Sequence, residues 1–303
     1  MKKTVAVLLA LMLCVSLIGC SNQKAAEGTP VQIDYDNATV SYLGPEGTYT
    51  QEACEKFFDG KGSYAPYETV PEAVQALTDG KSNYAVIPQE NTIGGAVIDY
   101  VDTLIANENV SVVGEVELPI SQNLLVLPGT ALADIKTVYS HKQGIAQGKE
   151  WLEKNLPNAE VIEASSTAEG AKTVAKGKDK SCAAIASAGC ADVYGLEILA
   201  AGIQNNDKNV TRFYVLSKDA PATAKSDRLA FIASGSAKDL PELTGEMDKL
   251  GITLVALHDR PEKTELGNYY YLIECSDCSY EKYQKLTDGI NFTFRYLGSY
   301  SVK

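Results

Sequence analysis

The chain has 303 residues, 45% hydrophobic and 22% charged, which excludes a disordered chain and leaves room for two packed domains. Its formal charge is −12, and no basic patch interleaved with aromatics is visible, which argues against a nucleic-acid partner. Seven cysteines without a second Cys-Xaa-Xaa-Cys pair or a nearby histidine argue against a zinc site.

The chain opens with Lys2 and Lys3, an apolar run at 5–18, and Leu17-Ile18-Gly19-Cys20. This is the pattern of a signal peptide ending in a lipobox, with residues 1–20 as leader and Cys20 as the site of diacylation. Polar and small residues at 21–37 then read as a flexible tether. The expected location is extracytoplasmic, lipid-anchored to the bacterial cell membrane. Of the remaining cysteines, Cys275 and Cys278 are three apart, and all five are expected to be inert or adventitiously oxidised thiols.

A strand at 39–43 enters the turn Gly44-Pro45-Glu46-Gly47-Thr48-Tyr49-Thr50, and a helix is predicted over 51–58. A glycine- and hydroxyl-rich turn between strand and helix is a natural anion seat, because free N–H groups and the helix dipole face outward there. A second helix is predicted over 71–77. The continuous apolar strand 84–87 suits a parallel sheet covered on both faces, and runs into Pro88-Gln89-Glu90-Asn91-Thr92-Ile93-Gly94-Gly95. Ligands of open α/β sheets gather at such strand ends.

A helix at 97–107 and a strand at 110–113 follow. Further strands are predicted at 124–127, 137–140, 159–162 and 183–186, with helices at 143–155, 167–176 and 188–194. The rhythm predicts a doubly wound α/β region over 38–218, built as two lobes around a cleft. Ser140-His141-Lys142-Gln143 and Ser165-Ser166-Thr167 again follow strands.

Asn209-Val210-Thr211-Arg212-Phe213 enters the apolar run Tyr214-Val215-Leu216. In a regular strand a hydroxyl and a guanidinium that are sequence neighbours point to opposite faces, so both serve one ligand only at a strand end or bend. Capping of the strand is the alternative for these two residues. A polar linker at 218–226 precedes a compact βαββαβ unit over 226–303, whose ionisable residues are scattered and which reads as regulatory or oligomeric.

Taken in order, these loops resemble the prephenate dehydratase family with its C-terminal ACT domain, from about Ala38 to the C-terminus. The motifs that carry the resemblance are Gly44-Pro45-Glu46-Gly47-Thr48-Tyr49-Thr50, Ile87-Pro88-Gln89-Glu90-Asn91-Thr92, Ser140-His141-Lys142-Gln143, Ser166-Thr167-Ala168-Glu169, Tyr194-Gly195-Leu196-Glu197 and Asn209-Val210-Thr211-Arg212-Phe213. The resemblance implies lobes like those of periplasmic binding proteins, and a cofactor-free lyase of phenylalanine biosynthesis that turns prephenate into phenylpyruvate. A dianionic substrate, prephenate or the related arogenate, is implied, as are a homodimer or tetramer and a phenylalanine effector.

By the same resemblance Thr211 is the catalytic threonine, donating to the leaving oxygen. Arg212 either seats a substrate carboxylate or braces the site from behind, and Asn91, Thr92, Thr48, Ser166, Thr167 and Gln143 supply neutral donors. Glu90 is expected to orient Arg212, because a second negative charge against a dianion is costly. Phe213 and His141 are supporting residues, and His258, Arg260 and Pro261 are regulatory candidates.

Departures from the family pattern are Gln89 for an apolar residue, Thr92 for serine, Gly94 for glutamate, Lys142 for proline and Gln122 for histidine. His258-Asp259-Arg260-Pro261 matches the ACT signature only in its last two residues, and Ser236-Ala237-Lys238-Asp239-Leu240 stands where a Gly-Ala-Leu motif is expected. The competing reading is a non-catalytic lipoprotein that binds an aromatic or carboxylate small molecule in the same cleft. A third is a purely structural or interaction lipoprotein, against which the Asn91, Thr211 and Arg212 set speaks.

Overall fold

The computed structural model describes residues 33–218 and 226–303; the leader, Cys20, most of the tether and the linker at 219–225 lie outside the described residues. The first lobe contains β1 (Thr39–Leu43), α1 (Tyr49–Phe57), β2 (Ser63–Tyr67), α2 (Val70–Thr78), β3 (Tyr84–Asn91), β4 (Gly95–Ala96), α3 (Ile98–Ala106) and β5 (Ser111–Pro119). The chain then crosses into the second lobe. That lobe holds β6 (Asn123–Val126), β7 (Thr137–Ser140), α4 (Lys142–Gln147), α5 (Lys149–Asn155), β8 (Glu160–Glu163), α6 (Thr167–Gly177), β9 (Cys182–Ala186), α7 (Gly189–Tyr194) and β10 (Glu197–Ala200). It returns through β11 (Val210–Ser217), so two crossovers join the lobes.

Each lobe has a sheet covered on both faces. In the first, alternate residues of β3 divide between two cores: Ala85 and Ile87 pack with α2 and α3, Tyr84 and Val86 with α1. In the second, the order is β10-β6-β9-β7-β8, with β7, β8 and β9 parallel and β6 and β10 antiparallel to their neighbours. The sheets are therefore mixed, not wholly parallel. The returning β11 inserts antiparallel between β3 and β5, which a crossover strand from the other lobe can do without a helix of its own.

Some predicted bounds shift. The helix expected over 143–155 breaks at Gly148 into α4 and α5. The edge strands β2 and β10 bury too few side chains to show a strand pattern, and neither was predicted. The end of the predicted tether is already part of the body, since Ile33 and Tyr35 pack against the α1 core.

The C-terminal unit comprises β12 (Arg228–Ser236), α8 (Leu240–Lys249), β13 (Thr253–Pro261), β14 (Asn268–Ser276), α9 (Tyr280–Leu286) and β15 (Thr293–Val302). Its antiparallel order β13-β14-β12-β15 is the split βαβ arrangement. The unit is not set apart from the first lobe. Ser301 and Val302 of β15 pair in parallel with Gly114 and Glu115 of β5, making one sheet of ten strands. Glu117 N–H to Lys303 O (3.0 Å) and Lys303 N–H to Glu115 O (2.9 Å) extend the seam.

Candidate active site

Between the lobes lies a cleft of about 250 Å³, lined by the ends of β1, β3, β7 and β11 and by the first turns of α1, α4 and α6. Thr48, Asn91, Gln143, Ser166, Thr167, His141, Thr211 and Phe213 all line it, so the loops singled out in the sequence converge. Among the described residues its lining holds no Lys, Arg, Asp or Glu. Any anion bound here meets neutral donors and helix N-termini.

Thr211 is 9% exposed and pairs across the sheet with Asn91. Asn91 Nδ2 donates at 2.8 Å both to Thr211 Oγ1 and to Asn209 Oδ1, while Asn91 Oδ1 accepts from the N–H groups of Ile93 and Gly94 at 3.0 and 2.9 Å. Those four contacts fix the amide's orientation. Because Thr211 Oγ1 accepts from Asn91, its own proton is left to donate into the cleft.

Thr48 and Ser166 are the N-caps of α1 and α6; Ser166 Oγ accepts from Glu169 N–H at 3.0 Å. His141 caps α4, with Nδ1 accepting from Gln143 N–H at 3.4 Å. Burial first, then the Lys142 charge, holds its imidazole below the usual histidine range against the pull of Glu163, leaving it neutral at pH 7. A Cβ at Gly94 would stand 2.9 Å from Gln143 Nε2, the movable end of a long side chain.

The lobes are tied together beside the cleft. Gly47 O accepts from Ser187 Oγ at 2.6 Å and Cys190 Sγ at 3.0 Å, and Glu46 O accepts from Tyr194 Oη at 2.8 Å. Gly47 has φ +82°, and a Cβ there would meet Cys190 Sγ at 2.9 Å, so this turn needs glycine twice over.

Two predicted ligands do not face the cleft. Arg212 points to the other side of β11, as strand alternation requires. Its Nε donates to Glu115 Oε1 at 2.7 Å, Nη1 to Glu90 Oε2 at 3.1 Å, and Nη2 to Glu274 Oε2. Burial opposes its charge, but the Glu115 hydrogen bond and the fields of Glu274 and Glu115 outweigh that and raise its pKa. Arg212 is thus placed as a brace behind the strand, with Glu90 against its guanidinium. Thr92 is also set aside, its hydroxyl spent on the backbone of Val210 at 3.0 and 3.2 Å.

Of the regulatory candidates, Arg260 makes a two-point contact with Asp102 of α3 at 2.6 and 2.9 Å, and His258 packs edge-on to Tyr100. Pro261 ends β13, paired with Tyr269.

Gln122, which stands in place of a family histidine, is 2% exposed in the cleft wall. Its Nε2 donates to Gln147 Oε1 at 2.8 Å, its N–H donates to Gln204 Oε1 at 2.9 Å, and its Oε1 has no partner among the described residues. Glu115 and Glu274, both fully buried, carried no sequence signal: Glu115 sits in a strand whose alternation reads as solvent-facing, and Glu274 ends the apolar run 269–273. Among the described residues no group of three or more His, Cys, Asp or Glu is arranged to hold a metal, and all five described cysteines are free.

Comparison with known proteins agrees with this geometry. Residues 40–221 match the family described as Prephenate dehydratase. A bifunctional chorismate mutase/prephenate dehydratase of Aquifex aeolicus is 34% identical over 239 residues, 78% of this chain; the chain spans 64% of that relative. A prephenate dehydratase of Mycolicibacterium gilvum is 34% identical over 250 residues, covering 78% of this chain and 80% of the relative. The solved prephenate dehydratase of Arthrobacter aurescens in complex with L-Phe is 27% identical, with TM-score 0.79 over 87% of this chain and 90% of that one.

Proposed function

The chain belongs to the prephenate dehydratase family, and from that premise we propose that its cleft removes water and carbon dioxide from prephenate to give phenylpyruvate. The observation that carries this reading is the Asn91–Thr211 hydrogen bond, which leaves the Thr211 proton free for a leaving oxygen.

Aromatisation drives the reaction, so the protein must hold the substrate where the ring carboxylate and the C4 hydroxyl depart together. Thr211 donates a hydrogen bond to the departing oxygen as charge develops on it. At its ordinary pKa a threonine stabilises that oxygen more than it transfers a full proton. The substrate carboxylates meet the first turns of α1 and α6, whose outward N–H groups replace the missing cations. Gln143 and Gln122 add amide groups to the wall.

The finer reading is ours as well. The βαββαβ unit is proposed as an ACT domain that joins two copies of the chain, and the L-Phe bound by the Arthrobacter aurescens protein supports phenylalanine as an effector. Leu17-Ile18-Gly19-Cys20 supports export as a lipoprotein. A two-lobed cleft on a lipid tether also suits a solute receptor. Incubating the purified protein with prephenate near neutral pH and following phenylpyruvate separates the two. Turnover carries the enzyme reading; calorimetric binding without turnover overturns it in favour of a receptor.

A further inference from the structure

The C-terminal unit packs against the catalytic strand through a shared apolar core, and inside it Tyr300 meets Tyr214 and Glu274 meets Arg212. Glu274 of β14 is fully buried and faces Arg212 Nη2; it also accepts from Gln89 Nε2, and from Tyr300 Oη at 3.1 Å. Gln89 is equally buried, and lies where the pairing of β3 with β11 slips. Arg212 is opposite Glu90 but Phe213 is opposite Pro88, so Gln89 is the extra residue of a β-bulge. A bulge re-aims the side chains beside it. Here the neighbours are Asn91 and Thr211, brought opposite each other one step beyond.

We infer that Glu274 is a positioning residue for the reaction: with Gln89 it pins the bulge that turns Asn91 onto Thr211, and through Arg212 it holds the strand that carries Thr211. An unpinned bulge can migrate along its strand, and a shift of one residue turns Asn91 to the opposite face. Arg212 is linked to β5 through Glu115, to β3 through Glu90 and to β14 through Glu274, so three strands fix one guanidinium whose sequence neighbour is Thr211. Gln89 stands where an apolar side chain was expected, and an apolar side chain could not make this tie. The catalytic geometry is therefore completed from outside the two lobes, by a residue more than 60 positions downstream.

This inference rests on the catalytic role of Thr211, and its test carries a readout independent of turnover. Gln89→Met removes the amide at nearly constant volume, and Glu274→Gln removes the charge at constant shape. Both are measured in the full chain at about pH 8.5, where Glu274 carries its charge, for kcat and KM with prephenate, and by the side-chain amide resonances of Asn91 in ¹⁵N-labelled protein. Each variant is expected to lower kcat about tenfold or more with KM within about twofold, and to move the Asn91 resonances. The double variant is expected to lose less than the product of the two losses, because both act on one element. Should Glu274→Gln fail to fold, Gln89→Met decides alone.

Unchanged kcat and unchanged Asn91 resonances in folded variants, whatever the melting temperature does, overturn the inference. Resonances that move in a protein with no wild-type turnover sink the proposed reaction and leave the positioning intact.

Discussion

Asn91 Nδ2 lies 2.8 Å from Thr211 Oγ1, and the direction of that bond decides what the hydroxyl can do. An amide N–H can only donate, so the threonine accepts from Asn91 and keeps its proton for the cleft. Thr211→Ala is expected to lower kcat by about 10²–10³ while KM and melting temperature stay near the wild-type values. Asn91→Asp is the sharper variant: a carboxylate can only accept, so the Thr211 proton turns towards it and away from substrate. Its kcat should approach that of Thr211→Ala. An Asn91→Asp protein with wild-type kcat means that Thr211 is not the donor.

Gln122 sits in a wall that, among the described residues, contains no cation and leaves its Oε1 without a partner. Gln122→Glu places a carboxyl at a position 2% exposed, where burial raises its pKa. Above that pKa the new charge repels an anionic substrate, and below it the neutral acid resembles glutamine. KM is therefore expected to rise by about tenfold or more with increasing pH, and to return towards the wild-type value in acid. Steady-state kinetics between pH 5 and 9 checks this; a KM independent of pH places the substrate away from Gln122.

The loops that meet at the cleft were legible because their residues keep to strand ends, where glycine, hydroxyl and amide groups have no place in a packed core. The brace behind them was not. Glu115 lies in Val112-Val113-Gly114-Glu115-Val116-Glu117, where an alternating carboxylate reads as facing solvent, and only the return of β11 beside β5 puts Arg212 against it. Glu274 was still further from view, since its partner lies in another domain. The seam had no signal either: Gly298-Ser299-Tyr300-Ser301 mixes small and aromatic residues and reads as the end of a strand, yet it continues β15 to β5. Long-range pairing, with no local period, was the missing information.

Glu274 also makes stability depend on pH. Burial first, with the field of Glu115 adding, pushes its carboxyl up to about 7, against the opposing attraction of Arg212. The other groups around it are Glu90 on the far side of Arg212, His258 of β13, and Tyr100, Tyr214 and Tyr300. Between the unfolded carboxylate range and about 7 the folded chain holds a proton that the unfolded chain has released. This group's contribution is therefore fully present in acid and is lost as pH rises through about 7. His141 and His258, both held below the usual histidine range, contribute in the opposite direction, so the difference between two proteins is the quantity to measure. Urea midpoints of Glu274→Gln minus wild type should grow with pH up to about 7 and then level off; a flat difference removes Glu274 as the group responsible.

Gly298 tests whether the fused sheet is structurally required. It lies in β15 at φ +157°, and a Cβ there would overlap the backbone oxygen of Val112 in β5. A carbonyl inside a paired strand cannot step aside as a flexible side chain would, so Gly298→Ala must open the contact between β15 and β5 or strain both strands. A loss of about 3 kcal/mol or more is expected in urea unfolding. Because Tyr300, two residues on in β15, donates to Glu274, which faces Arg212, kcat should fall in this variant even below the unfolding transition, although residue 298 lines no part of the cleft. Wild-type stability together with wild-type kcat would show that the C-terminal unit stands apart from the lobe, with Arg212 held by Glu90 and Glu115 alone.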